Sequence, residues 1–115
     1  MSWILIRGNI DDTACYRRLE KLVKDIITDL KTKSLPDFVE GILSLSREQS
    51  LINGKWETDG YTLQLCWGGP TLLLYTSGYI STSWGRDFIE ARITDQEAVA
   101  ILKELEEYLD LLGGD

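Results

Sequence analysis

Between residues 13 and 32 the apolar side chains return at helical intervals. Leu19, Leu22, Val23, Ile26, Ile27 and Leu30 form one stripe, while Arg17, Arg18, Lys21, Lys24, Asp25 and Lys31 fall mostly off it. This spacing predicts an amphipathic helix over about 13–32. Asp11, Asp12 and Thr13 offer N-cap oxygens and negative charge at its start. A second stripe, Ala98, Leu102, Leu105, Leu109 and Leu112, widened by Ile101 and Tyr108, predicts a helix ending near Leu112. Thr94-Asp95-Gln96-Glu97 reads as a capping box for it, the Thr94 hydroxyl meeting the Glu97 amide. Gly113-Gly114 ends it.

Between the helices the pattern changes to short runs of strand formers. Trp3 to Arg7 reads as a strand broken at Gly8-Asn9. The run Phe38 to Leu45 has strand character after the stop at Ser34-Leu35-Pro36-Asp37. Asn53-Gly54 and Thr58-Asp59-Gly60 read as turns around a short run, Lys55-Trp56-Glu57. Tyr61, Leu63, Leu65 and Trp67 alternate with Thr62, Gln64 and Cys66, as in a half-buried strand. Thr71 to Tyr75, Tyr79 to Trp84 and Phe88 to Ile93 come next, separated by glycine turns. The order strand, helix, run of strands, helix predicts one α+β domain over residues 1–115. Its sheet should be mainly antiparallel with four to five strands, and the N-terminal and C-terminal amphipathic helices should pack on one face.

The chain has 115 residues, a length that suits one domain able to fold without metal or disulfide. Histidine is absent, which excludes Ser-His-Asp and Cys-His nucleophile systems and most zinc hydrolase sites. Cys15 and Cys66 are far apart and form no CxxC pair, so two buried thiols in a reducing compartment are expected rather than a disulfide or a zinc site. The start of the chain lacks a basic segment and its apolar run is four residues long, which predicts a cytoplasmic protein without a signal peptide.

Net charge is −7. The last stretch carries Asp95, Glu97, Glu104, Glu106, Glu107, Asp110 and Asp115 against Lys103 alone, while residues 1–33 are slightly basic. Direct nucleic-acid binding through phosphates is disfavoured. A basic protein surface, including that of a nucleic-acid-binding partner, is the better electrostatic match. Glu104 and Glu107 on the acidic helix are candidate contacts for such a groove, set against the ordinary reading of a solvated helix face.

Two turns carry the remaining candidates. Trp67-Gly68-Gly69-Pro70 reads as a hairpin turn beside a core tryptophan, or as a close-approach site with a stacking ring. Trp84 with Arg86 reads as an interface anchor, or as a surface arginine paired with Asp87 or Glu90. With helices on one face, some of Trp56, Tyr61, Trp67, Tyr75, Tyr79 and Trp84 should remain exposed on the other, as a platform for a protein partner or a second copy. Lys55, Arg86 and Arg92 are too few to favour stacked bases. Leu65-Cys66-Trp67-Gly68-Gly69-Pro70, with an apolar strand and Trp84-Gly85 after it, resembles small proteins of phage and plasmid regions, a likeness that assigns no functional residue.

The sequence therefore predicts a small acidic non-catalytic protein-interaction module. One version is an inhibitor of a nucleic-acid-binding complex of the kind mobile elements encode. The binding candidates are Trp67, Gly68, Gly69, Tyr79, Trp84, Arg86, Glu104 and Glu107, with no catalytic residue, metal or cofactor assigned and no membrane contact. Three alternatives stand beside it: a small-molecule site lined by Tyr61, Trp67, Tyr79, Trp84 and Arg86 at the strand ends, a homodimeric structural protein, and an enzyme using Asp, Glu or Cys66.

Overall fold

The first helix begins where its acidic cap predicts. Asp12 Oδ1 accepts from the backbone N–H of Ala14 at 2.9 Å and of Cys15 at 3.4 Å, and α1 runs Thr13–Thr32. Leu19, Val23, Ile26, Ile27 and Leu30 are buried along it. These details come from a computed structural model, which describes residues 2–66 and 70–112. Preceding α1 is β1 (Trp3–Asn9), two residues longer than the glycine at position 8 suggests.

Residues 35–40, expected as a helix stop followed by the start of a strand at Phe38, correct that expectation. They form a short helix, α2 (Leu35–Glu40). Pro36 does stop α1, but its fixed φ and missing N–H also suit the first turn of a new helix. Ser34 Oγ caps that turn by accepting from Asp37 N at 3.3 Å. Strand structure resumes later, in β2 (Ser44–Ile52), and returns through Asn53-Gly54 into β3 (Lys55–Cys66). Asn53 and Gly54 both have positive φ, 52° and 80°, as a two-residue hairpin turn requires. Thr58-Asp59-Gly60, with the composition of a turn, lies within β3. Its extra residue is absorbed as a bulge, with Glu48 opposite Gly60 and Gln49 opposite Thr58.

The remaining strands are β4 (Thr71–Tyr75), β5 (Tyr79–Trp84) and β6 (Asp87–Ile93), followed by α3 (Gln96–Leu112). The sheet is antiparallel throughout, in the order β1-β6-β5-β4-β3-β2. It has six strands rather than four to five, because β2 and the outer half of β3 look like loop and short run in the sequence. At the start of α3 the cap sits one residue later than the capping box implies. Glu97 N and Ala98 N donate to Asp95 Oδ1 at 3.0 and 3.1 Å. Asp95 also accepts from Lys31 Nζ at 2.8 Å, tying α3 to the end of α1. This lysine and the two amides hold the Asp95 carboxyl below its ordinary range.

One core joins both long helices to one face of the sheet. Leu19, Val23, Ile26 and Leu30 of α1 and Ala98, Leu102, Leu105 and Leu109 of α3 share it with Leu63, Leu65, Leu72, Leu74, Ile80, Ile89 and Ala91. The cross-strand pairs Leu63–Leu74, Leu65–Leu72, Leu74–Ile80 and Ile80–Ala91 fix these side chains on the same side. Leu112, expected to extend the stripe of α3, is exposed instead. Each fully buried Leu or Ile contributes about 1.5–3 kcal/mol, so this layer is sufficient to hold both helices in place.

Asp87 is the most buried carboxylate among the described residues, 3% exposed. It does not pair with Arg86. It accepts from the backbone N–H of Asp11 at 2.6 Å and of Asp12 at 3.0 Å, fastening the turn before α1 to the start of β6. Glu90 pairs instead with Arg7 of β1, at 2.7 Å. No helix among the described residues is long and apolar enough to cross a membrane.

Candidate interaction surface

β3 pairs with β4 only from Thr62 to Cys66, whereas its pairing with β2 continues out to Lys55. The β2–β3 hairpin therefore runs past the body of the sheet as a two-stranded arm, and the molecule measures 46 × 31 × 26 Å. At the arm's tip Leu51 stands directly opposite Trp56. Trp56 is 67% exposed and Leu51 59%, and neighbouring Ile52 is also exposed. A cross-strand aromatic–aliphatic pair stabilises a hairpin. Here it also leaves a large apolar surface in solvent.

The arm is anchored at its root. Tyr61 N donates to Thr76 Oγ1 at 3.0 Å, Thr76 N donates to Tyr61 O at 3.0 Å, and the buried Tyr61 hydroxyl donates to Asp110 Oδ1 on α3. Burial, and then the bond to Asp110, raise the Tyr61 hydroxyl above its ordinary pKa. On β2, Leu45 and Arg47 lie opposite Leu63 and Tyr61 and so face the helices. The bulge residue lies in β3, so alternation along β2 carries Gln49 and Leu51 to that same side. A groove of about 280 Å³ lined by Val39, Leu45, Arg47, Tyr61, Leu109 and Leu112 opens at the root on this side.

Acidic groups surround the arm. Glu48 accepts from Thr62 Oγ1 at 2.9 Å, and Asp59 accepts from Ser50 Oγ. Glu106 of α3 lies near Gly60, with Oε2 3.9 Å from the place a Cβ would occupy. Glu57 and Asp110 complete five carboxylates, against Arg47 and Lys55. A cleft of about 240 Å³ lies between Glu48, Asp59, Thr62 and Tyr75.

The sheet face away from the helices carries fewer free rings than the sequence suggests. Tyr79 lies there, half-buried, with its ring 5.1 Å from Tyr75 in an edge-to-face contact. Burial and then Glu90 push the Tyr79 hydroxyl up to about 12. Arg7 lies over Phe88 at 5.5 Å. Tyr75, Tyr79, Phe88, Glu90 and Arg7 thus cover one another. Trp84 alternates onto the helix side, where it packs on the core beneath the Arg18 guanidinium at 5.2 Å. Arg86 is exposed, and its carbonyl accepts from Asn9 Nδ2 at 2.8 Å.

Tyr61, Tyr79 and Trp84 therefore do not converge on one cavity, since Tyr79 faces away from the other two. Glu104 and Glu107 are exposed on α3. Trp67, Gly68 and Gly69, and with them any platform or turn they form, lie outside the described residues. Trp56 is the aromatic that sequence reasoning places poorly. The signal for it is the Asn-Gly turn between Leu51-Ile52 and Lys55-Trp56, which marks a hairpin with apolar residues on both strands.

For chemistry the described residues offer little. No group of three Cys, Asp or Glu among them is placed to hold a metal ion. Cys15 is a half-buried free thiol. Burial, followed by the charges of Asp12 and Asp87, pushes its pKa up, opposite to the shift an activated thiolate needs. Comparison of the chain with protein-family profiles, characterised proteins and solved structures returns no match.

Proposed function

We propose that this chain is a non-catalytic protein-interaction module that acts in the cytoplasm and contacts its partner through the β2–β3 arm. The observation that carries this reading is the exposed Leu51–Trp56 pair on a hairpin that projects beyond the sheet. An aromatic anchor ringed by polar groups is the usual make-up of an interface centre. The carboxylates around the arm and along α3 favour a basic partner. A nucleic-acid-binding protein is the specific version we favour, with the acidic module occupying its basic surface as an inhibitor.

The test is site-specific photo-cross-linking from position 58, beside Trp56, compared with position 104 on α3 and position 86 at the β5–β6 turn. The reading expects a basic protein captured from position 58 with Trp56 in place, and its loss when Trp56→Ala is added while the circular dichroism of the folded chain is retained. Partner capture that is indifferent to Trp56 and Leu51 would overturn it.

A second reading is supported by a groove of about 530 Å³ between β1 and α1, lined by Trp3, Leu5, Tyr16, Glu20 and Lys24. It fits a small apolar ligand carrying a charged group. Quenching of Trp3 fluorescence in a metabolite screen would reveal one.

A further inference from the structure

The two sheet edges are not equivalent. β1 forms one edge and carries an extra residue, Ile6, between Leu5 and Arg7, where its register against β6 shifts. Such a bulge interrupts the row of outward backbone groups and is a usual protection of an edge. β2 forms the other edge, with nine residues in unbroken sequence, because the bulge of that hairpin lies in its partner strand. β2 contains no proline, and among the described residues it neighbours β3 alone. Its outward N–H and C=O groups are therefore presented over about 30 Å.

Resting on the interaction reading above, we infer that β2 takes up an extended segment of the partner as a seventh strand. The segment's chemistry is set by the two sides of β2. Toward the helices stand Leu45, Arg47, Gln49 and Leu51, with the groove of Val39, Leu109 and Leu112 beneath the first. Side chains of an added strand that point this way meet apolar surface at both ends. On the opposite side stand Ser44, Ser46, Glu48, Ser50 and Ile52, with Asp59 close to Ser50. Small or basic residues fit there, a lysine or arginine lying beside Glu48. The fitting ligand is thus an extended peptide alternating apolar and basic residues. Main-chain bonds supply affinity and the alternation supplies register. A second copy of this chain fits less well, since each copy carries a net charge of −7.

The probe is the synthetic peptide acetyl-Lys-Val-Lys-Val-Lys-Val-Lys-amide, added to the full ¹⁵N-labelled chain and followed by amide exchange. The expected result is at least tenfold slower exchange at every second residue of β2. Binding should weaken at least tenfold in Glu48→Lys, whose thermal unfolding is recorded alongside, and should be lost when glutamate replaces lysine in the peptide. Absence of peptide binding overturns the inference, as does binding that leaves the β2 amides unprotected. In either case the cross-link from position 58, with and without Trp56→Ala, still decides whether the arm binds a partner through its side chains. Concentration-dependent protection of β2 without peptide also overturns it, by assigning the edge to a second copy.

Discussion

Asp87 links the start of β6 to the turn before α1. Its carboxylate holds the Asp11 and Asp12 amides at 2.6 and 3.0 Å while being 3% exposed itself. Asp87→Ala removes both bonds and leaves two donors facing a small cavity. Hydrogen bonds to a charged acceptor contribute about 1.5–3 kcal/mol each. The low end applies here because Asp11 and Asp12 are themselves exposed and water can reach their amides. The expected loss is therefore about 3 kcal/mol, which for a domain of this size lowers the melting temperature by roughly 12 °C. Asp87→Asn keeps one acceptor oxygen and should lose about half as much. Urea unfolding and calorimetry give the stability, and amide exchange at Asp11 and Asp12 shows whether the loss is local to the staple. A fall of less than about 3 °C for Asp87→Ala, with both amides still protected, would refute the assignment of Asp87 as the fastening point of α1.

Two further outcomes rest on the same kind of geometry. A Cβ at position 60 would stand 2.9 Å from Thr76 Oγ1, the atom that accepts from Tyr61 N, so Gly60→Ala should cost about 1–3 kcal/mol in chemical denaturation and loosen the root of the arm. Tyr79 ionises in the unfolded chain near 10 but only at about 12 in the folded one. The stability this contributes is complete below pH 10 and lost as pH rises towards 12. Ultraviolet titration should show a late phenolic step that disappears in Tyr79→Phe.

The two long helices are legible in the sequence because their periodicity is long. The stripe of α1 predicts its extent to the residue, and its cap lies among the three residues named for it. The strands from Tyr61 onward are legible because Tyr61, Leu63 and Leu65 alternate cleanly and glycines separate the later strands. The sequence is opaque around 35–60, where local and tertiary signals disagree. Ser34-Leu35-Pro36-Asp37 ends one helix and begins another with the same residues. Ser44 to Ile52 contains little apolar alternation because most of that strand borders solvent rather than the core. Thr58-Asp59-Gly60 has the composition of a turn but is held in the ladder by the anchoring of Tyr61 to Thr76 and Asp110. The candidate site moves for the same reason. Of the rings expected on the open face, Tyr75 and Tyr79 are sheltered there by Arg7, Glu90 and one another, while Tyr61 and Trp84 lie on the helix side. Among the described residues, Trp56, on the strand least legible in the sequence, is the ring left in solvent.

The strand order has a kinetic consequence. β1 is made first but bonds only to β6, the last strand, some eighty residues later. During synthesis its Trp-Ile-Leu-Ile run therefore has no ladder to join until β6 has emerged, and the stripe of α1 waits for β5 and β6, on which it packs. Assembly can begin with the local hairpins of β2 to β6, whereas closure of the β1 edge carries the largest loop entropy and comes late. A nascent chain stalled before Asp87 would leave β1 without its ladder and the stripe of α1 partly uncovered, which makes that interval the one most open to aggregation or chaperone capture.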